Sequence, residues 1–317
     1  MSGPADAIPG RAAHPAERNE WRAGLLFISP WLVGFVVFLL LPGAMTLFYS
    51  LTEYSVLEPP IFAGIENYAG LFRDPVFWKV LRNTLVYTAI TVPVSTVVAI
   101  AIACLLNSGV RFSAFWRAVV FLPSLVPLVA SAMVWMWIFN GELGLLNAAL
   151  DPLLGVVGAV IGRDVLAPNW LGSPAWIMPA LILMSLWSIG NAVVIYLAAL
   201  QDVPAALYEA AAIDGVRPLG RFRHVTLPMI SPVVLFNVIV GLIAAWQVFA
   251  VPYVLLGAAG GPDRAGYFYT TYLYDNAFSY TRMGYASAMA WVQLLVILVL
   301  TGVTMLLSRR FVYYRGA

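Results

Sequence analysis

Apolar residues run in long blocks along this chain. They do not recur at every second or every third to fourth position. Six blocks stand out, at about 25–51, 85–106, 118–139, 175–200, 230–256 and 285–307, and none contains Asp, Glu, Lys or Arg. A bilayer core about 30 Å thick takes roughly 20 apolar helical residues to cross. The pattern therefore predicts an all-α integral membrane protein with six transmembrane helices. Pro42, Pro93, Pro123, Pro127, Pro252 and Gly190 fall inside the blocks. Neighbouring helices and hydroxyl side chains can re-satisfy the backbone groups they free. The first block exceeds the apolar core of about 7–15 residues found in a signal peptide, so it reads as a retained span. Residues 1–23 are rich in Ala, Pro, Gly and charge and read as a disordered tail. Residues 24–317 then form one six-span domain. No repeat of 20–50 residues is visible.

Composition agrees. The chain is 62% apolar and 10% charged, against about half and a quarter in soluble domains. Charge placement sets the orientation, because Lys and Arg gather on the cytoplasmic side. Arg11, Arg18, Arg22, Arg111, Arg117, Arg217, Arg221, Arg223, Arg309, Arg310 and Arg315 fall on one side, and Arg73, Lys79, Arg82, Arg163, Arg264 and Arg282 on the other. Both termini are therefore expected in the cytoplasm, within a multi-pass cytoplasmic (inner) membrane protein. Cys104, His14 and His224 are the whole Cys and His complement, too few for a His/Cys metal centre. No nucleophile–His–acid set is available either, so no catalytic residue is expected.

The segment between the fourth and fifth blocks, YEAAAIDGVRPLGRFRHVTLP, is polar where a plain linker would suffice. Asp202 suits an N-cap and Pro204 a first helical turn. The Ala-rich run from Ala205 to Ala212 favours helix. Gly215 suits a left-handed helix end. Pro218 can open a second short helix, with Leu219, Phe222 and Thr226 on one face, and Pro228 should stop it. Helices this short are marginal alone in water, so the segment at 202–228 should dock against something. Loop charges that answer lipid headgroups are the plainer reading.

Glu209-Ala210-Ala211, Asp214-Gly215, Phe222 and Leu227-Pro228 resemble the EAA motif of ABC importer permeases, in spacing and in position before the penultimate span. The resemblance implies that this loop is a cytoplasmic coupling helix seated in a cleft of an ATPase subunit. Glu209 would then face a basic partner residue and Gly215 would form the bend. GIENYAGLFRDPVFWKVLRNTL, NWLGSP, SLWSIGNAVVIYLAALQDVP, GGP and GYASAMAW are similar to stretches of carbohydrate-type permeases. The opening is similar to the first of the two permeases in maltose/glycerol-phosphate-type systems. Val216 stands where alanine is usual, and the 141–169 loop is slightly long. The implied partners are a second, different permease, an ATPase dimer that holds ATP and Mg, and an extracytoplasmic solute-binding protein.

The chain itself is not expected to hydrolyse ATP, which a separate partner subunit would handle. A P-loop needs Gly-Lys-Ser/Thr, and the only lysine, Lys79, follows Trp78. No cofactor is expected on this chain, and no nucleic-acid partner. An ion-gradient-driven secondary transporter is the alternative. Proton-coupled carriers usually keep ionisable groups inside the bilayer, and these spans have none. Carriers that bind sodium through carbonyls escape that test. Membrane lipid surrounds the chain in either case. Solute contacts must come from uncharged groups. Ser185, Trp187, Ser188 and Asn191 share one expected helix side in the fourth span, Asn237, Trp246 and Gln247 lie in the fifth, and Trp291 and Gln293 in the sixth. Trp187, Ser188, Asn191, Trp246 and Gln247 are the path candidates. Amides and indoles suit a small neutral solute such as a sugar. Each could equally hydrogen-bond one helix to another.

Overall fold

A computed structural model describes residues 15–163 and 166–313. The first fourteen residues of the expected tail lie outside them; residues 15–23, expected to be disordered, instead form the first turns of a helix. Helix α1 (Pro15–Phe35) passes through a wide π turn at Val36–Leu40 into α2 (Leu41–Ser50). Two short strands, β1 (Thr52–Glu53) and β2 (Ile61–Phe62), pair antiparallel with Thr52 opposite Phe62. After them come α3 (Glu66–Arg73), α4 (Pro75–Asn107), α5 (Ser113–Phe121), a 3-10 turn at Leu122–Leu125, α6 (Leu128–Ile138) and α7 (Leu145–Ile161). The chain continues through α8 (Pro174–Trp187), α9 (Gly190–Gln201), α10 (Ala205–Ile213), α11 (Pro218–Arg221), a π turn at Phe222–Thr226 and α12 (Leu227–Trp246). It ends with α13 (Ala250–Leu256), α14 (Tyr269–Tyr274), a π turn at Asp275–Ser279 and α15 (Met283–Ser308).

Four helical stretches are long and apolar enough to cross a membrane: Trp21–Ser50, Pro75–Asn107, Pro218–Trp246 and Met283–Ser308. Two more are bent pairs, Ser113–Leu125 with Leu128–Ile138 at 100° and Pro174–Trp187 with Gly190–Gln201 at 51°. Among the described residues the count is thus four spans, or up to six if each bent pair is one. The third and fourth expected spans are broken, where the apolar pattern read as continuous helix. The fifth is also displaced. It starts at Pro218, ends at Trp246, and α13 follows as a separate helix.

Pro228 does not stop the helix, contrary to expectation. The π turn before it sends the Leu227 N–H to the Phe222 carbonyl, and α12 continues. The Leu41 N–H reaches Val36 in the same way, and Pro42 comes next. Proline lacks an N–H and its ring presses on the carbonyl four residues back. One extra residue in the turn ahead of it moves that carbonyl aside.

α4 runs through all of the main packing. Phe77 and Val80 join one buried cluster, Tyr87 and Val92 a second, and Ala99, Ala103 and Leu106 a third. Ala99 and Ala103 are fully buried; small side chains there let α9 approach closely, a common device between membrane helices. At the α4 N-terminus, polar groups tie six elements together. Asp74 caps α4 through the Val76 N–H at 2.8 Å and accepts from the hydroxyls of Tyr285, at 3.0 Å, and Tyr272. Asn83 donates to the carbonyls of Arg264 and Tyr267, and the Thr84 hydroxyl accepts from the Tyr269 N–H. Asn67 donates to Ser50 and Thr52, and the Gly284 N–H to Tyr54. A Cβ on Gly284 would fall 2.1 Å from the Thr52 carbonyl, so only glycine lets β1 lie on α15.

Burial pushes the Asp74 carboxyl upward, but its bonds to Tyr272, the Val76 N–H and Tyr285 outweigh this and hold it below the ordinary value of 3.8. Burial and the adjacent Asp74 push Tyr272 up to about 12. A lowered carboxylate pKa stabilises the fold above the ordinary value, and that stability is lost as pH falls through the folded value. Asp74→Asn should therefore cost about 1–3 kcal/mol near pH 7. The gap to wild type should close as pH drops below 3.8. Thermal unfolding of the purified protein in detergent at pH 7 and pH 3 would measure both.

Candidate functional site

Two places concentrate polar groups away from the hydrogen-bonded end just described. One is where three helices break; the other is the segment from α10 to the π turn before α12.

The first break separates α5 from α6. Val126 precedes a proline and is extended (φ −73°, ψ 130°), and Pro127 opens α6. A residue before proline is pushed out of the helical region, so the Pro123/Pro127 pair accounts for this bend. The second break, at Ser188 and Ile189, separates α8 from α9. The two breaks touch. A Cβ on Gly190 would lie 2.6 Å from the Val120 carbonyl oxygen and 2.9 Å from the Phe121 Cα. Gly190 is therefore required for backbone to approach backbone. The third break follows α12, with Gln247 at its end and Phe249 outside helical geometry (φ −141°, ψ −62°) before α13.

Because α8 ends at Trp187, Ser185, Ser188 and Asn191 do not share one continuous helix side, as the 3.6-residue period had suggested. Ser188 is the last cap of α8, and Asn191 stands in the first turn of α9. Ser188, Asn191 and Gln247 are exposed. The amides of Asn191 and Gln247 have no hydrogen-bond partner among the described residues. Trp187 is half-buried edge-on to Trp135, with centroids 6.1 Å apart. Trp246 is fully buried near Tyr269. Asn237 donates to the Val233 carbonyl and Gln293 to the Thr270 hydroxyl, as groups joining turns and helices do. Of the five path candidates, Asn191 and Gln247 present free amides, the exposed Ser188 hydroxyl donates to the Ser185 carbonyl at 3.3 Å, and the two indoles pack against Trp135 and Tyr269.

The second place is an elbow. Asp202 closes α9 and does not cap α10; Pro204 stands at the α10 N-cap. Gly215 has φ +70°. The Val216 N–H reaches the Ala211 carbonyl and the Gly215 N–H that of Ala212, the paired bonds of a Schellman ending. A 3.0 Å hydrogen bond between the Tyr208 and Thr226 hydroxyls ties α10 to the π turn. Thr226 and Ala211 are buried, Phe222 is half-buried and Leu219 is 79% exposed. Leu219 therefore does not share the buried face with Phe222 and Thr226 that was expected for it. Glu209, Ala210, Asp214, Gly215 and Leu227 are exposed, and Pro228 is half-buried. Glu209 and Asp214 form no ion pair among the described residues; Lys79 with Asp263 does, at 2.8 Å. A cavity of about 580 Å³ lies beneath the elbow, bounded by Asn107, Ser108, Tyr208, Arg221 and Thr226 among others.

Comparison with known proteins identifies this layout. Residues 83–313 match the family model described as "Binding-protein-dependent transport system inner membrane component". The chain is 36% identical over 301 residues to the probable ABC transporter permease protein YesP of Bacillus subtilis (strain 168), covering 94% of each chain. It is 34% identical over 282 residues to the lactose transport system permease protein LacF of Rhizobium radiobacter, covering 88% of this chain and 91% of that one. Among solved structures, a subunit of a bacterial alginate ABC transporter in complex with an alginate pentasaccharide-bound periplasmic protein superposes with a TM-score of 0.77 at 22% identity, covering 93% of this chain and 96% of that one. That likeness establishes the fold.

Gly190→Ala should unfold at lower temperature, by about 1–3 kcal/mol of stability, because the methyl meets backbone that must move. Gly43→Ala is the control. Its Cβ would meet nothing within 4 Å, so its melting temperature should match or exceed wild type. Thermal melts of the two variants side by side would decide it.

Proposed function

Because the chain belongs to the inner-membrane-component family of binding-protein-dependent transport systems, we propose that it is a permease subunit of an ATP-driven importer that carries a sugar or related polyol across the inner membrane by alternating access. Relatives named for sugar transport support the solute class; LacF is one, and an arabinooligosaccharide permease at 31% identity is another. In this reading each bent pair is one span. The six spans put both termini and the elbow in the cytoplasm, and residues 24–317 are one permease domain that α1 enters from its cytoplasmic end.

The exposed elbow is the single observation that carries the coupling half of the proposal. Its two helices are fixed to each other by the Gly215 ending and the Tyr208–Thr226 bond. They nonetheless leave Glu209, Ala210, Asp214 and Gly215 open to a partner. An ATPase subunit holding ATP and Mg seats there, and its closing moves the elbow. The family glutamate, Glu209, pairs with a basic residue of that subunit. Leu227 and Pro228 carry the elbow into α12. Solute passes the helix breaks along Ser188, Asn191 and Gln247, with Trp187 and Trp246 shaping the wall.

The span Trp21–Ser50 has none of its most apolar stretch buried within this chain. Such a surface fits lipid on one side and a second, different permease on the other. A solute-binding protein delivers its cargo to the opposite face, near β1, β2 and α14. The alginate transporter structure pairs a related fold with such a periplasmic protein.

Glu209→Lys tests the docking contact. A reversed charge in a docking cleft should cost well over about 1 kcal/mol, or roughly tenfold in affinity. Co-purification of the ATPase subunit and sugar uptake should both fall. Wild-type values for both would remove the coupling claim. Uptake into ATP-loaded vesicles should also persist after the ion gradients are collapsed; its loss would favour a secondary carrier.

A further inference from the structure

Four aromatic rings cluster between the third helix break and the loop before α15: Phe249, Tyr253 and Tyr274 touch one another, with Tyr253 edge-on to Tyr274 at 5.7 Å, and Phe278 extends the cluster outward from Tyr274. Phe249 lies in the break itself. Its ring centroid is 4.9 Å from that of Tyr274 and 5.2 Å from that of Tyr253, and Tyr274 is 4.9 Å from Phe278. The cluster starts two residues from the free Gln247 amide and ends at Phe278, which is 62% exposed. Its inner three members are half-buried.

Their hydroxyls separate these rings from the structural tyrosines nearby. Tyr267 donates to Asp275, Tyr269 to the Met289 carbonyl, and Tyr272 and Tyr285 to Asp74. The hydroxyls of Tyr253 and Tyr274 have no partner among the described residues. Phe278 is held outward by the π turn Asp275–Ser279, and Asp275 and Asn276 in that turn are 3% and 1% exposed. Single π turns inside helices are frequent at functional sites. The successive planes Phe249–Tyr253, Phe249–Tyr274 and Tyr274–Phe278 are tilted by 33°, 41° and 43°. The ring surface open to a ligand is that of Phe278 at the outer end, backed by the three packed rings, whereas rings of a lipid-interface belt anchor one by one at headgroup depth.

A pyranose ring is polar at its rim and apolar across its C–H face. The electron-rich face of an aromatic ring attracts those C–H groups, and free phenol hydroxyls can meet the sugar rim. We propose that Phe249, Tyr253, Tyr274 and Phe278 form a stacking subsite that hands a sugar ring from the exposed loop to Gln247 at the helix break. The proposal rests on the sugar-importer reading above.

The test uses the assembled transporter in proteoliposomes, with labelled lactose, maltose and arabinotriose as probes. Phe278→Ala and Tyr274→Ala should lower initial import at limiting sugar about three- to tenfold, as expected for loss of one ring contact. Tyr274→Phe keeps the ring and should retain most of the import. Co-purification of the ATPase subunit with Phe278→Ala should match wild type. Unchanged import in both alanine variants would overturn the subsite alone. Loss of the ATPase subunit from Phe278→Ala would show a packing role and overturn it too. Failure of the wild type to import any of the sugars would sink the carbohydrate reading, and this subsite with it.

Discussion

Two backbones meet without a side chain between them at Gly190, and the central architecture depends on that contact. In hydrocarbon there is no water to satisfy a broken helix, so irregular backbone survives only where protein encloses it or a cavity is lined by it. The α5–α6 break and the α8–α9 break cover one another at Val120, Phe121 and Gly190. Each allows the other to exist. Ser188 and Asn191 flank the contact, and the exposed Asn191 amide is left without a partner among the described residues, where a continuous helix would have placed it elsewhere.

α4 relates this centre to both ends. It shares a cluster with α14 and α15 at Phe77 and Val80, and another with α9 and α12 at Ala99 and Ala103. The end around Asp74 is held by hydrogen bonds with little freedom. The elbow end is held by apolar packing, one hydroxyl pair and a cavity. In the proposed reading the stiff end receives the solute and the looser end receives the push from ATP hydrolysis.

Helical class, the apolar blocks and the elbow with its bend at Gly215 were all legible in the sequence, because block length and Ala, Gly and Pro placement act locally. The breaks were harder to see. Pro127 lay in view, but prolines at 30, 93, 179 and 232 sit inside helices that continue past them. What separates the cases is tertiary: whether another backbone lies near enough to support the break. Pro228 misled for a related reason, since a π turn leaves no mark in the pattern of apolar positions. The Asp74 network joins residues up to 211 apart in the chain, beyond any periodicity. A crowding of tyrosines from Tyr267 to Tyr285 was its one visible trace.

The absorbed proline has a mechanical consequence. Had Pro228 ended the helix, the elbow would hang from the membrane span by a joint. Instead Pro218–Trp246 is a single 29-residue rod, about 43 Å long at 1.5 Å per residue. A tilt of about 5° at one end of a rod that length sweeps the other by about 4 Å. The pivots are displaced to its two tips, Gly215 at one and the Gln247–Phe249 break at the other. In the proposed reading the piece works as a connecting rod between two bearings, and the residues with the most leverage on the far end are those at the bearings.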